Sequence, residues 1–378
     1  MKLFQLCTQQ VQLNKPLPWG VRNEQGYLLL QKGYVIKDAE QLGSLLHKGV
    51  YVDIEDYEAN HRAEKIAEGK SNTFAMWSDI NLRVASLLGQ AAQHDNFDTG
   101  VNNASKDIHI AIAIAIAIAK DVEAGMFAMM SSDPDNYAIA HSIQTAFVAS
   151  LAADHFGLSS DERSSLSNAA LTSNIAMLTI QNLLYKQAGP LTDEQRNTID
   201  AHPKDGRAML EQSNVQDMHW LNAVEKHRVT TDGRGLPEDR RDLNDLACII
   251  HYSDVYLAKV GARAYRPAIA PNKAARDLYV SSGGLHNPYV SAIIKEVGLY
   301  PPGTFVKLAN GDTALVIRRG EHAHMPMAYS LISKSGTLYP ESVPRNTALD
   351  TYKVLTSVSK SSVSTKIDCQ KLYEIALT

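Results

Sequence analysis

The sequence predicts a mainly α-helical fold: a helical bundle core with a small α/β module before it and a small β-rich tail after it. Three observations carry this. Capping signatures recur between residues 137 and 264, strand-sized apolar runs sit between glycines near the N-terminus, and a hairpin signal follows Pro301-Pro302-Gly303. At 378 residues the chain has room for two or three domains. Its 44% hydrophobic and 21% charged content is that of a chain able to bury a core, not of a disordered one.

The elements follow in order. Gly26 to Gly33 encloses the strand-sized run Tyr27-Leu-Leu-Leu30, Asp38 to His47 reads as a short helix, and Gly49 to Asp53 as a second strand. Residues 1–55 therefore form the α/β module. The charged stretch 54–76 reads as a linker or exposed helix, and residues 77–132 as helical, so that 56–136 lead into the core. Within them Ile110 to Ala119 alternates Ile and Ala; its alanines and helical neighbours favour a buried helix over a strand.

The core helices announce their ends. One spans about Tyr137 to Phe156 and stops at Gly157. Ser159 with Glu162, and Thr192 with Gln195, form capping boxes that open two more. Asn244 opens a long helix reaching about Ala264, before Pro267. Residues 137–303 make the helical domain and 304–378 the β-rich tail. In the tail, Phe305 to Leu308, Asn310-Gly311 and Thr313 to Ile317 form a hairpin. Ala328 to Ile332 and Thr351 to Leu355 read as strands, and the serine-rich Ser357 to Ser364 as loop.

Whole-chain properties exclude several classes. A net charge of -4 carries no basic excess, which counts against nucleic-acid binding. Cys7, Cys248 and Cys369 are scattered, odd in number and without CxxC spacing, as expected of free thiols in a reducing cytoplasm. The N-terminus turns polar too early for a signal peptide. The longest apolar run, Ile110 to Ala119, would be about 15 Å long as a helix, half a bilayer core. The chain is expected to be cytoplasmic and to lack a membrane span.

Candidate chemistry lies in the helical domain. His141 sits mid-helix, His202 precedes Pro203 near a helix end, His227 ends the segment from Trp220, and Asp254 lies in the apolar stretch Ala247 to Leu257. Asp254 shares a helix face with Ile250 and Leu257, where a carboxylate needs a metal, an arginine or a set of donors. Three imidazoles and a carboxylate could ligate metal, although any one of the 13 histidines reads more simply as surface or hydrogen-bonded core. The loop Asp232-Gly-Arg-Gly-Leu-Pro237 can bring backbone N–H groups against a phosphate, Gly233 and Gly235 permitting close approach and Pro237 stiffening the exit. Arg263 and Arg266, at i and i+3 around Tyr265, could grip a phosphodiester. The bland alternative is a tight turn and a solvated basic helix end.

Taken in order and spacing, these elements resemble the HD-GYP family of cyclic di-GMP phosphodiesterases over about residues 137–303. The resemblance rests on His141-Ser142, the stretch Ala169 to Leu178, Leu191 to Glu194, His202-Pro203 with Gly206, His227 with Asp232 to Pro237, Asp254-Val255, Arg263 to Arg266, and Gly298 to Gly303. It implies an HD-type helical bundle in which two or three metal ions, often iron or manganese, activate water against the phosphodiester. By position, His141 with Asp254 and His202 with His227 match two metal sites.

The departures from the family pattern fall on those sites. The His-Asp pair is Ser173-Asn174, the next His-Glu is Arg228-Val229, the phosphate lysine is Met177 and the tyrosine of the GYP triplet is Leu236. Neither position keeps the three protein ligands usual for a catalytic metal, so no catalytic residue and no cofactor are expected. Were the chain active, two divalent transition metals, iron or manganese, would serve. The nucleotide-facing residues Asp232, Gly233, Gly235, Pro237, Arg263, Tyr265 and Arg266 are retained, as ligand contacts or as shapers of the fold. Three functions compete. One is a non-catalytic sensor or interaction module of bacterial cyclic di-GMP signalling, with a partner such as a diguanylate cyclase and a homodimer as a candidate state. Another is a phosphodiesterase recruiting Asn174, His251 or Glu225 to an atypical ligand set. The third is a structural protein that binds no nucleotide.

Overall fold

A computed structural model describes residues 3–5, 17, 19–23, 25–38, 51–53, 73–89, 100–101, 123–131, 136–229, 244–261, 264, 268–282, 287–359 and 363. The expected helix at 38–47, apart from its first residue, and the one at 110–119 lie outside these residues. The chain divides into two compact units, Met1–Asn72 and Thr73–Thr378.

The first unit is an antiparallel sheet of β1 (Leu3–Gln5), β2 (Val21–Arg22), β3 (Leu28–Leu30) and β4 (Tyr51–Asp53), in the order β1-β4-β2-β3. The β2–β3 turn is built by Asn23, whose Oδ1 accepts from the N–H groups of Gln25 and Tyr27, with Gly26 at φ 85°. Among the described residues of this unit, Leu17, Trp19, Val21, Ile36 and Val52 are buried and apolar.

The second unit begins with α1 (Thr73–Gly89) and α2 (Glu123–Ser131). The first starts at Thr73, within the stretch 54–76 read as a linker or exposed helix. The bundle proper is α3 (Tyr137–Ala152), α4 (Ser160–Thr172), α5 (Leu178–Lys186), α6 (Asp193–Gln212), α7 (Met218–Lys226), α8 (Asp245–Val260), α9 (Pro271–Ser281) and α10 (Pro288–Val297). Helix α3 is central and buried almost all round; its alanines at 138, 140, 146, 149 and 152 let α4 and α8 approach closely. Both capping boxes form, at Ser159–Glu162 and Thr192–Gln195. Asp217, Asn244 and Asn287 cap α7, α8 and α10 with their side-chain oxygens.

Several boundaries differ from the sequence reading. Helix α3 tightens into a 3-10 turn at Ala153–His155 before Gly157. Helix α8 ends at Val260, and Gly261 beyond it is extended at ψ 136°. Pro203 is not near a helix end but inside the twenty-residue α6. The helix tolerates it because the carbonyl that its missing N–H would have bonded finds other donors, described below.

The tail is an antiparallel sheet in the order β8-β7-β6-β5-β9, from β5 (Phe305–Leu308), β6 (Thr313–Arg318), β7 (Met327–Ile332), β8 (Leu338–Asn346) and β9 (Val354–Val358). The β5–β6 hairpin turns at Gly311, φ 91°. Pairing of Phe305 with Val358 shifts the last strand three residues past the expected 351–355, so Ser357 is strand rather than loop. Asp350–Tyr352 form a 3-10 turn instead. Strand β8 is additional to the strands read from the sequence; it contains Pro340 and Pro344, which are accommodated on the sheet edge.

Candidate functional site

Five segments converge on the candidate site. Helix α3 carries His141, and the turn after α4 carries Ser173 and Asn174. Helix α6 carries His202, the end of α7 carries His227, and α8 carries Asp254. All three histidines, Ser173 and Asn174 are buried; Asp254 is half-buried. These groups form two separate pairs.

In the first pair, His141 Nε2 lies 2.8 Å from Asp254 Oδ1. The carboxylate can only accept, so His141 carries its proton on Nε2 and donates it. Its Nδ1 then accepts from the Tyr137 hydroxyl at 3.2 Å. The Tyr137 ring stacks on His141 at 5.4 Å and on Tyr185 at 4.5 Å, which fixes its place. Asn174 Nδ2 donates to the same Asp254 oxygen at 3.1 Å. Burial raises the Asp254 carboxyl, but the hydrogen bond from His141, the positive charge that His141 and His227 take on in the acid range, and the hydrogen bond from Asn174 outweigh it and leave it below its ordinary value. Ser173 turns back onto its own helix, donating to the Ala170 carbonyl at 3.2 Å.

In the second pair, His202 Nε2 and His227 Nε2 face each other at 3.2 Å. Each ring is locked from behind. His202 Nδ1 donates to the Ile199 carbonyl at 2.6 Å and His227 Nδ1 to the Val224 carbonyl at 2.6 Å. Both Nε2 atoms therefore present lone pairs to the same point. The Ile199 carbonyl is free to accept because residue i+4 is Pro203, which has no N–H. Burial lowers both imidazoles, His227 to about 3 with the neighbouring His202 as second cause. They are neutral at pH 7, as metal-ligating histidines must be.

The two pairs respond differently to a test of metal fit. Nitrogen ligands about 2.1 Å from one ion lie roughly 3.0–3.4 Å apart at octahedral to tetrahedral angles, and a ligating histidine donates its other N–H to a carbonyl. His202 and His227 meet both conditions. His141 does not meet the second, since its other ring nitrogen faces the Tyr137 hydroxyl and not a carbonyl. Among the described residues no group of three or more His, Cys, Asp or Glu side chains is arranged to hold a metal.

The remaining sequence candidates are placed as follows. Arg228 is half-buried; its guanidinium donates to the Ile199 carbonyl at 2.7 Å and lies 3.6 Å from Asp200. Val229 is buried, and Met177 ends a short 3-10 turn, Ile175–Met177. His251 reaches the His227 carbonyl at 2.9 Å rather than the imidazole pair, and Glu225 is held by Arg207 at 2.7 Å. Asp232, Gly233, Gly235, Pro237, Arg263, Tyr265 and Arg266 lie outside the described residues. Sequence reasoning missed Tyr137, whose i, i+4 spacing to His141 on one helix was the available signal. It also missed the role of Pro203 in freeing a carbonyl.

Comparison with known proteins gives consistent matches. The HD domain family matches residues 118–286. "Cyclic di-GMP phosphodiesterase PA4108" of Pseudomonas aeruginosa is 26% identical over 153 residues, 40% of this chain and 37% of that protein. "Cyclic di-GMP phosphodiesterase response regulator RpfG" of Xanthomonas campestris pv. campestris is 29% identical over 145 residues, 37% of this chain and 38% of that protein. The matches thus span less than two-fifths of the length of these relatives. Among solved structures, Bd1817 of Bdellovibrio bacteriovorus, described as a HDG"Y"P protein, aligns with a TM-score of 0.42 and 14% identity, over 78% of this chain and 99% of that one.

Proposed function

For a chain that belongs to the HD-GYP family of HD-domain proteins, we propose a non-catalytic role in cyclic di-GMP signalling, as a nucleotide sensor or interaction module centred on residues 137–303. The observation that carries this reading is the closed network at Asp254. One oxygen of that carboxylate accepts from both His141 Nε2 and Asn174 Nδ2, at 2.8 Å and 3.1 Å. A working two-metal centre needs His141 as a lone-pair donor and a bridging carboxylate. Here an amide, Asn174, stands at the position where the family resemblance expects the bridging carboxylate, and it donates to Asp254. Such a network offsets the burial of a charge without any ion. The relatives named as cyclic di-GMP phosphodiesterases support cyclic di-GMP as the ligand class.

A second reading is favoured by the facing lone pairs of His202 and His227. They suit one divalent ion, which would make the chain a phosphodiesterase with an atypical ligand set. If bound there, such an ion would supply Lewis acidity and an activated water. Metal content and cyclic di-GMP turnover measured on one preparation separate the two. The non-catalytic reading expects less than one transition-metal ion per chain, no chelator-sensitive turnover, and binding of cyclic di-GMP in calorimetry. Chelator-sensitive hydrolysis at an ordinary enzymatic rate overturns it. A chain that neither binds nor hydrolyses cyclic di-GMP also overturns the nucleotide-sensor form.

A further inference from the structure

The loop that joins β6 to β7 carries a side-chain cluster apart from the histidine pairs already described. It contains the run Glu321-His-Ala-His-Met-Pro-Met327, which gathers two imidazoles and two thioethers. His322 and His324 are exposed, and their ring centres lie 5.9 Å apart with the planes 17° from parallel. The ring nitrogens of His141, His155, His202, His227 and His251 are each bonded to a protein group. Among the described residues, neither ring of the loop pair has a hydrogen bond or an ion pair. Their nitrogen lone pairs are therefore open to a ligand.

The backbone beneath the two rings is held in place. Met325 N–H donates to the His322 carbonyl at 2.9 Å, closing a turn with His322 first and His324 third. Gly320 lies so near that a Cβ on it would collide with the Met325 carbonyl oxygen, so the close approach requires glycine. At the start of the loop Arg319 donates to the Glu296 carbonyl of α10. At its end the Thr347 hydroxyl donates to the Pro326 carbonyl. A loop tied at both ends loses little further freedom when its side chains close on an ion.

A ligating ring nitrogen stands about 2 Å from its ion, which puts its ring centre about 3.2 Å from that ion. Two rings on one ion then have centres roughly 4.5 Å apart at a right angle and about 6.4 Å apart when opposed. The 5.9 Å between His322 and His324 falls within this range, towards the opposed end. Exposed side chains turn readily, so the nitrogens can converge without moving the backbone. Wide angles between two nitrogens suit an ion of low coordination number. Met325 and Met327 offer thioether sulfur beside the imidazoles, and soft ligands of this kind select monovalent copper. Arg318 and Arg319, which precede the loop, repel a divalent ion more than a monovalent one. We propose that the β6–β7 loop is a binding site for a monovalent copper ion, held by His322 and His324 with a methionine thioether completing the set. The site shares no residue with the His141–Asp254 and His202–His227 pairs and does not depend on whether they hold metal.

The test is anaerobic titration of the full chain, its accessible thiols alkylated, with copper(I) presented by a chromophoric chelator. It is repeated on His322→Gln, on His324→Gln and on a variant carrying both Met325→Leu and Met327→Leu. Circular dichroism confirms that the variants fold. Copper held at His202 and His227 appears in every variant alike, so the loop is read from the difference. The parent should take up one copper ion that either histidine variant holds about tenfold or more weakly. The methionine variant should weaken copper as well, and zinc titrated in the same way should bind the parent less tightly than copper. No copper uptake by the parent, uptake unchanged in both histidine variants, or zinc held more tightly than copper would each overturn the assignment. Copper affinity unchanged in the methionine variant would overturn the thioether ligand.

Discussion

Asn174 and Asp254 meet at 3.1 Å with an amide as donor and a carboxylate as acceptor. That single contact decides much of the character of the site. Asn174→Asp replaces the donor with a second carboxylate facing Asp254. Without metal the pair repels and a buried hydrogen bond is lost, a cost of about 1–3 kcal/mol. With metal the two carboxylates become ligands. Thermal melting of the variant should therefore fall relative to the parent in chelator, and manganese should raise it by more than it raises the parent. A variant that melts at the parent's temperature in chelator, and does not respond to manganese, would show that Asn174 does not face Asp254. At this scale the sequence identified the substituted residue but not its bond, because the amide and its partner are 80 positions apart.

At the scale of elements, the same rule of satisfied polar groups governs α6 and the tail sheet. Pro203 removes an N–H from α6, and the freed Ile199 carbonyl is shared by His202 Nδ1 and the Arg228 guanidinium. A helix defect thus sets the tautomer of a candidate ligand. In the sheet, Asp312 sits buried at the β5–β6 turn. Its carboxylate accepts from Ser330 at 2.8 Å, from Tyr339 at 3.2 Å and from Arg345 at 3.3 Å. The Arg345 guanidinium lies 4.7 Å from the Tyr352 ring and 5.9 Å from that of Tyr339. Burial raises the Asp312 carboxyl, but hydrogen bonds from Asn310, Ser330 and Tyr339 and the charge of Arg345 hold it below its ordinary value.

A carboxyl depressed in the folded state gives stability that is present above its unfolded value and is lost as pH falls through the folded one. Asp312 should therefore contribute acid sensitivity below about pH 4. Asp312→Asn should melt lower at neutral pH and show a shallower loss of stability on acidification. An acid profile parallel to the parent's would remove Asp312 from this role. The hairpin carrying Asp312 was legible from Asn310-Gly311. The network was not, since Ser330, Tyr339 and Arg345 reach it only through the pairing of β7 and β8.

Across the second unit, Phe127 of α2 is fully buried among Phe305, Leu315, Ile317 and Leu331 of the tail sheet. The other face of that sheet packs Val306, Leu308, Ala314, Val316 and Ala328 against Tyr300, Tyr352 and Val354. A helix before the bundle in sequence thus fills a core after it. Phe127→Ala should cost about 3–5 kcal/mol through the cavity it leaves. If the sheet depends on this anchor, urea unfolding should also broaden or split, with the sheet lost before the helices. A single sharp transition at the parent's midpoint would contradict the coupling. Among the described residues, no helix is long and apolar enough to cross a membrane.

What the sequence determined by itself is local. Capping boxes, the hairpin turn and the helical succession from 137 onward are set by residues within a few positions of each other, and their chemistry is readable in order along the chain. The ordered motifs likewise marked the HD-GYP resemblance and the substitutions at Ser173, Asn174 and Arg228. Tertiary structure alone decided how the ligand-type residues are used. His141 finds Asp254 across 113 positions and His202 finds His227 across 25. Which ring nitrogen carries a proton depends on carbonyls and carboxylates that packing brings near. The reason is physical: a hydrogen bond is fixed by positions in space to within a few tenths of an ångström, and sequence spacing specifies those positions only inside a single helix or turn.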